Sequence, residues 1–193
     1  MKIGILSDIH VDLGKTGPQR VLEGITAAII KNDIDTMIIA GDVANDYEIT
    51  LQTLHQIENA AGVRCLFVPG NHDIWNEKHP DKTAWEIYDA LKAFSGNLAN
   101  GPAEWVNGWV AIGDLGWYDY SFGSPQYSVE EFDRMKINNR LWQDKVKAVW
   151  QRSTLDMHRH FHSKLEKQLD ACKNSNIILV THVLPIKDFT VQP

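Results

Sequence analysis

Four short apolar runs, each ending in a cluster of Asp, His or Asn, limit how this chain can fold. The runs are Lys2–Leu6, Thr36–Ala40, Arg64–Val68 and Ile177–Val180. Each is rich in Ile, Val or Leu and too short for an ordinary helix, so each reads as a buried strand. Amphipathic stretches separate the first three. Gln19–Lys31 carries Val21, Leu22, Ile25 and Ile29 at helical spacing, and Tyr47–Ala61 carries Ile49, Leu51, Leu54 and Ile57. This alternation predicts parallel strands joined by crossover helices. The 193 residues suit one such domain, 1–193, rather than two.

The middle of the chain is of another kind. Residues 74–172 are irregular and aromatic-rich, with all seven tryptophans between Trp75 and Trp150, and read as a cap or insert within the domain. A helix is expected over Lys82–Phe94. Short strands are expected at Glu104–Val106 and Trp109–Ile112, joined by an Asn107-Gly108 turn. Val129–Cys172 reads as helical with a break near Gln151–Thr154, where Ser153 or Thr154 would cap a second helix.

The chemistry sits at the ends of the four runs. The first ends in Ser7-Asp8-Ile9-His10, the second in Gly41-Asp42, the third in Pro69-Gly70-Asn71-His72-Asp73 and the fourth in Thr181-His182. Ligands of an open α/β sheet bind beyond the carboxyl ends of its strands. Four strands would therefore deliver these side chains to one rim. Asp8 and His10 are two apart, so an extended chain would put both on one face. Gly41 and Gly70 permit tight turns or close backbone approach. Imidazole, carboxylate and amide oxygen together suit a pair of divalent cations, with Mn, Fe, Zn, Ni or Mg all compatible. Two such ions clamp the attacking and leaving oxygens of an in-line displacement at phosphorus, and their net positive charge attracts a phosphate ester.

Asp8-Ile9-His10, Gly41-Asp42, Gly70-Asn71-His72-Asp73 and His182 resemble, in order, the D-x-H, G-D, G-N-H-D and H blocks of the calcineurin-like metallophosphoesterases. The resemblance implies a four-layer α/β/β/α sandwich, two mixed sheets flanked by helices. It implies hydrolysis of a phosphate mono- or diester by a hydroxide bridging two metal ions. Asp8 and His10 would ligate the first ion, Asp42 would bridge both, and Asn71 with His182 would ligate the second. His72 would stabilise the transition state or protonate the leaving alkoxide, oriented by Asp73. The family's pattern continues with a G-H-x-H block, one ligand for each ion, and the residues after His182 contain none. Truncation of a longer chain is the favoured expectation, and a natural short form with a weakened site the alternative.

Single residues also have plainer readings. Asn45 and Asp46 read as caps of the helix that starts at Tyr47. His158 and His162 are four apart on a helix and could chelate, but a solvated polar face explains them as well. His55 and His79 read as surface residues. Trp117, Tyr118, Asp119 and Tyr120 could wall a substrate or pack the cap onto the core, and packing is preferred.

The formal net charge of -6 makes nucleic acid and anionic membrane poor electrostatic partners. No apolar run is long enough to span a bilayer. A small phosphate ester is the expected partner. Two cysteines, Cys65 and Cys172, and an N-terminus that lacks a signal-peptide pattern lead to the expectation of a cytoplasmic protein. A nuclease of the same superfamily, and a metal-poor scaffold that keeps the fold, are the rival readings.

Overall fold

The computed structural model describes residues 1–15 and 17–190. β1 (Ile3–Leu6) leads through α1 (Pro18–Lys31) to β2 (Thr36–Ile39), and β2 through α2 (Tyr47–Ala61) to β3 (Arg64–Phe67). The three strands are parallel, in the order β1-β2-β3. Asp46 starts α2 by accepting the Glu48 N–H at 2.9 Å, and Gly62 ends it with φ 65°. α3 (Ala84–Leu91) begins at a reciprocal cap between Thr83 and Glu86. β4 (Ala103–Glu104) turns into β5 (Trp109–Asp114) through Asn107 and Gly108, with φ 61° and 73°. The expected turn is there, but the first strand sits slightly earlier than Glu104–Val106.

The helical reading of 129–150 is corrected. α4 (Val129–Asp133) is only five residues long. A hairpin comes next, β6 (Lys136–Ile137) and β7 (Arg140–Leu141), and then α5 (Asp144–Lys147). The cause is local. Asn138 and Asn139 adopt φ 46° and 64°, and two left-handed residues make a tight hairpin turn and end a helix. α6 (Thr154–Ala171) begins as expected, with Ser153 accepting the Asp156 N–H at 3.1 Å. β8 (Asn176–Thr181) pairs parallel to β5, and β4 pairs antiparallel to it on the other side.

Side-chain alternation along the strands defines four layers. Met37 and Ile39 of β2, with Cys65 and Phe67 of β3, pack with Leu22 and Ile29 of α1 and Leu54 and Ile57 of α2. The alternate residues Ile38, Leu66 and Val68 meet Ala111 of β5 and Val180 of β8, which joins the two sheets face to face. Val110 and Ile112 turn the other way, toward Ile177 and Cys172 at the end of α6. The architecture is thus an α/β/β/α sandwich, and both cysteines are buried and free. Among the described residues no helix is long and apolar enough to cross a membrane.

One carboxylate ties the rim of the first sheet together. Asp73 is fully buried and accepts the backbone N–H groups of Asp42 (2.8 Å), Val43 (2.9 Å), Ala44 (3.2 Å) and Gly70 (2.8 Å), and the Thr50 hydroxyl of α2 (2.7 Å). The loops after β2 and β3 are thereby held as one body. Burial pushes the Asp73 carboxyl above its ordinary pKa, and the Gly70, Thr50 and Ala44 donors pull it back. Five donors require an acceptor-only group. Asp73→Asn would turn an NH2 against N–H groups and leave buried donors unsatisfied. We expect it to lower unfolding stability by about 3 kcal/mol, measured by urea denaturation of the metal-free protein; a change of only a few tenths would show that the tie is dispensable.

Candidate metal centre

The loops carrying the polar blocks converge because their backbones interlock. Asp8 donates its N–H to the Gly41 carbonyl at 3.1 Å, and His10 donates to the Asp42 carbonyl at 3.1 Å. These bonds bend the chain after β1, so Asp8 and His10 are not extended: their φ values are 54° and 43°. Asp42 has φ 56°. Three left-handed non-glycine residues at three adjoining positions mark stored backbone strain, which recurs at functional sites. The two glycines allow close approach. A Cβ on Gly41 would lie 2.6 Å from the Gly70 nitrogen and 2.7 Å from His182 Nδ1, and one on Gly70 would overlap the Asp42 carboxylate.

Asp42 is the centre, with its side chain 4% exposed. Its Oδ2 faces His10 Nε2 at 3.7 Å and His72 Nε2 at 3.9 Å, and its Oδ1 faces His182 Nε2 at 3.4 Å. Asp8 Oδ1 lies 4.0 Å from His10 Nε2. Asp8, Asp42 and His182 converge as one ligand group, and His10, Asp42 and His72 as another. Burial pushes the Asp42 carboxyl up to about 7; His182 counters this, and the Asp73 charge adds to it.

The donor set fits divalent ions. His182 Nδ1 faces the Ala40 carbonyl at 2.8 Å, and a carbonyl only accepts, so Nδ1 carries the proton and a neutral ring offers Nε2 as a lone pair. Asn71 gives its Nδ2 to the Asp144 carboxylate at 2.9 and 3.1 Å, which leaves its Oδ1 facing that lone pair at 2.9 Å. Two acceptors thus point at one another, with Asp42 Oδ1 beside them. A cation resolves that arrangement. On the other side, His10 Nδ1 is buried without a hydrogen-bond partner, and Nε2 is too far from either carboxylate to bond it. Two ligands at ~2.1 Å from one ion lie roughly 3–3.5 Å apart in tetrahedral geometry, close to these spacings.

His72 departs from the expected pairing. Asp73 does not touch its ring, because the Asp73 carboxylate is fully engaged with the loop N–H groups and Thr50. Adjacent residues in the short 3-10 turn at His72–Ile74 point apart. The group on His72 Nδ1 is instead Asn45 Oδ1 at 2.5 Å, so Asn45 is a ring partner, while Asp46 alone caps α2. The His72 ring stacks 3.7 Å from that of Trp75 and lies 4.6 Å from that of His10. Burial, helped by the nearby His10, pushes its pKa down to about 4.

Other expectations resolve in simple ways. His79 is half-buried rather than a surface residue, 3.2 Å from Asp46. His158 and His162 have separate partners: His158 Nδ1 faces the Trp117 carbonyl at 3.1 Å, and His162 lies 3.4 Å from Glu166. Trp117 is buried in the main core, as a packing role requires. Tyr118 also packs there, and its hydroxyl donates to Asp144 at 2.6 Å. Asp144 is a site residue that the sequence does not reveal. It lies inside the stretch 129–150 that reads as helical, and nothing local points to Asn71, 73 residues away.

The calcineurin-like phosphoesterase family matches residues 1–185. No curated protein sequence matches the chain. Among solved structures it is similar to a dimetal phosphatase from Danio rerio, with 12% identity and a TM-score of 0.53, over 93% of this chain and 68% of that one. At that identity the likeness is one of fold. The family implies divalent metal ions, and side chains that could ligate them are assembled at the strand ends. Matched over nearly its whole length, this chain belongs to the calcineurin-like phosphoesterases.

Proposed function

We propose that the chain hydrolyses a small phosphate mono- or diester with two divalent ions, one held by Asp8, His10 and Asp42 and the other by Asp42, Asn71 and His182. The observation that carries this is the convergence on Asp42. Each of its oxygens faces the Nε2 of a different imidazole, at 3.7 Å and 3.4 Å, as a bridging carboxylate would. When bound, the ions supply Lewis acidity, which acidifies water and neutralises phosphate oxygens. The protein's own contribution is position and charge. Asp42, fixed by the Asp73 tie, offers its two oxygens in opposite directions. His72 stands beside it, its Nδ1 held by Asn45. An amide can present either its oxygen or its NH2, so Nε2 can face the substrate as a lone pair or as an N–H. In the second form it donates to a phosphate oxygen or to the leaving alkoxide.

A cavity of about 520 Å³ is lined by Thr181 and Val183, the chain neighbours of His182, and by Tyr118, Tyr120, Phe132 and Trp142, while none of the proposed ligands lines it. That volume and apolar lining suit the organic part of a small ester. The net charge of -6 supports the same choice over nucleic acid. A metal-poor binding form is the second reading.

Asp42→Asn should abolish divalent-dependent hydrolysis of p-nitrophenyl phosphate and of its bis ester; full activity in that variant would refute the mechanism. His72→Ala should keep both ions by metal analysis and lose about 100-fold or more in kcat. Loss of an ion on that change would move His72 into the ligand set, to which its 3.9 Å approach to Asp42 also admits it. Purified protein should contain about two divalent ions per chain. Fewer than one, with no hydrolysis, would establish the binding form.

A further inference from the structure

Asp144 is a buried carboxylate that the reaction above does not use, and it is surrounded by donors. Its side chain accepts from Asn71 Nδ2 (2.9 and 3.1 Å), Trp75 Nε1 (2.6 Å), the Tyr118 hydroxyl (2.6 Å) and Trp142 Nε1 (2.8 Å). It is 3% exposed. Three of these donors are neutral side chains from separate segments, one after β3, one after β5 and one after β7. Buried carboxylates with several donors order what surrounds them. Here the fourth donor is a residue of the proposed metal centre.

We infer that Asp144 is the positioning residue of the second metal site: it sets which end of the Asn71 amide faces His182. The inference rests on the two-ion reading above. An Asn amide has two ends of nearly equal shape, and its own packing does not choose between them. One end ligates a cation; the other repels it. Asp144 only accepts, so it takes the NH2 and turns Oδ1 toward His182 Nε2, 2.9 Å away. A carboxylate that fixes a ligand from outside is worth about 10–100-fold in metal affinity at other metal sites. Trp75, Tyr118 and Trp142 in turn hold Asp144. Through them the region 74–172, which carries none of the family's blocks, becomes part of the metal centre.

The test is a titration of the full chain with Mn(II), followed by calorimetry and by electron paramagnetic resonance, which separates a coupled pair of ions from an isolated one. Asp144→Asn removes the acceptor-only partner at constant shape and frees Asn71 to flip. The expected result is a second ion weakened about 10-fold or more, loss of the coupled signal, and an unchanged first ion. Asn71→Ala should weaken the same ion, and the double variant should lose little beyond either single one. Two ions bound by Asp144→Asn with the affinities of the unmodified chain would overturn the positioning role and leave the hydrolase reading intact. An unmodified chain that binds no ion through Asn71 and His182 would overturn both. If Asp144→Asn does not fold, Trp142→Phe decides. That side chain is 59% exposed, so its replacement leaves the core alone. It should weaken the second ion by about 2-fold or more, the loss of one donor to a carboxylate, and an unchanged affinity would overturn the inference.

Discussion

The architecture of the rim depends on one buried carboxylate. Asp73 satisfies four backbone N–H groups that belong to two different strand-to-helix loops, and adds the hydroxyl of Thr50 from the helix between them. Without such a partner those N–H groups would be buried donors with nothing to accept them, each at a cost of about 1–3 kcal/mol. With it the loops after β2 and β3 press together until no room remains for a Cβ at position 41 or 70. Asp8, His10 and Asp42 lie along the edge of these loops with left-handed backbones. Their left-handed backbones persist because the hydrogen bonds from Asp8 to Gly41 and from His10 to Asp42 leave them no alternative.

Three aspartates divide the work around the site by what faces them. Asp73 is saturated by backbone N–H groups and has no oxygen to spare. Asp144 is saturated by side-chain donors and acts on Asn71. Among the described residues Asp42 accepts only the His72 N–H, at 2.9 Å, and otherwise meets imidazole nitrogens 3.4–3.9 Å away. The residue type is the same in each case. Its surroundings make one a structural tie, one the acceptor of the Asn71 amide and one a carboxylate open on two sides, as the proposed ligand role requires.

The strands and the α1 and α2 crossovers are legible in the sequence because apolar period and strand length speak locally. The proposed ligand positions are legible because they lie just past strand ends, and strand ends of a parallel sheet share a rim. The second sphere is not. Asp73 enters as the partner of His72 only through the family resemblance, whereas a 3-10 turn sends the two side chains apart. Asn45 looks like a cap because it precedes a helix; its role on His72 depends on how the two loops are stacked. Asp144 has no local mark at all, since its meaning comes from Asn71 across the fold. The hairpin at 136–141 is a different kind of miss. Its signal, Asn138-Asn139, is present in the sequence, but the helical periodicity around it is the stronger pattern.

Electrostatics explains why such a site suits cations. Asp42 is buried with the Asp73 charge near it, and among the described residues its ionic partners are His10, His72 and His182, none a permanent cation. His72 is driven toward its neutral form by burial, and His182 offers Asn71 a lone pair rather than a proton when neutral. Among the described residues the fold therefore gathers a buried carboxylate and unshared electron pairs in one place with no lysine or arginine paired to Asp42. An arrangement of that kind costs stability when it stands alone, because the charged carboxylate has lost its water. The same arrangement is favourable once divalent charge enters, since the desolvation has already been met by folding and the ligands need no further ordering. Binding and folding are then linked: a cation held on Asp42 in the folded state offsets the repulsion between Asp42 and Asp73 and stabilises that state.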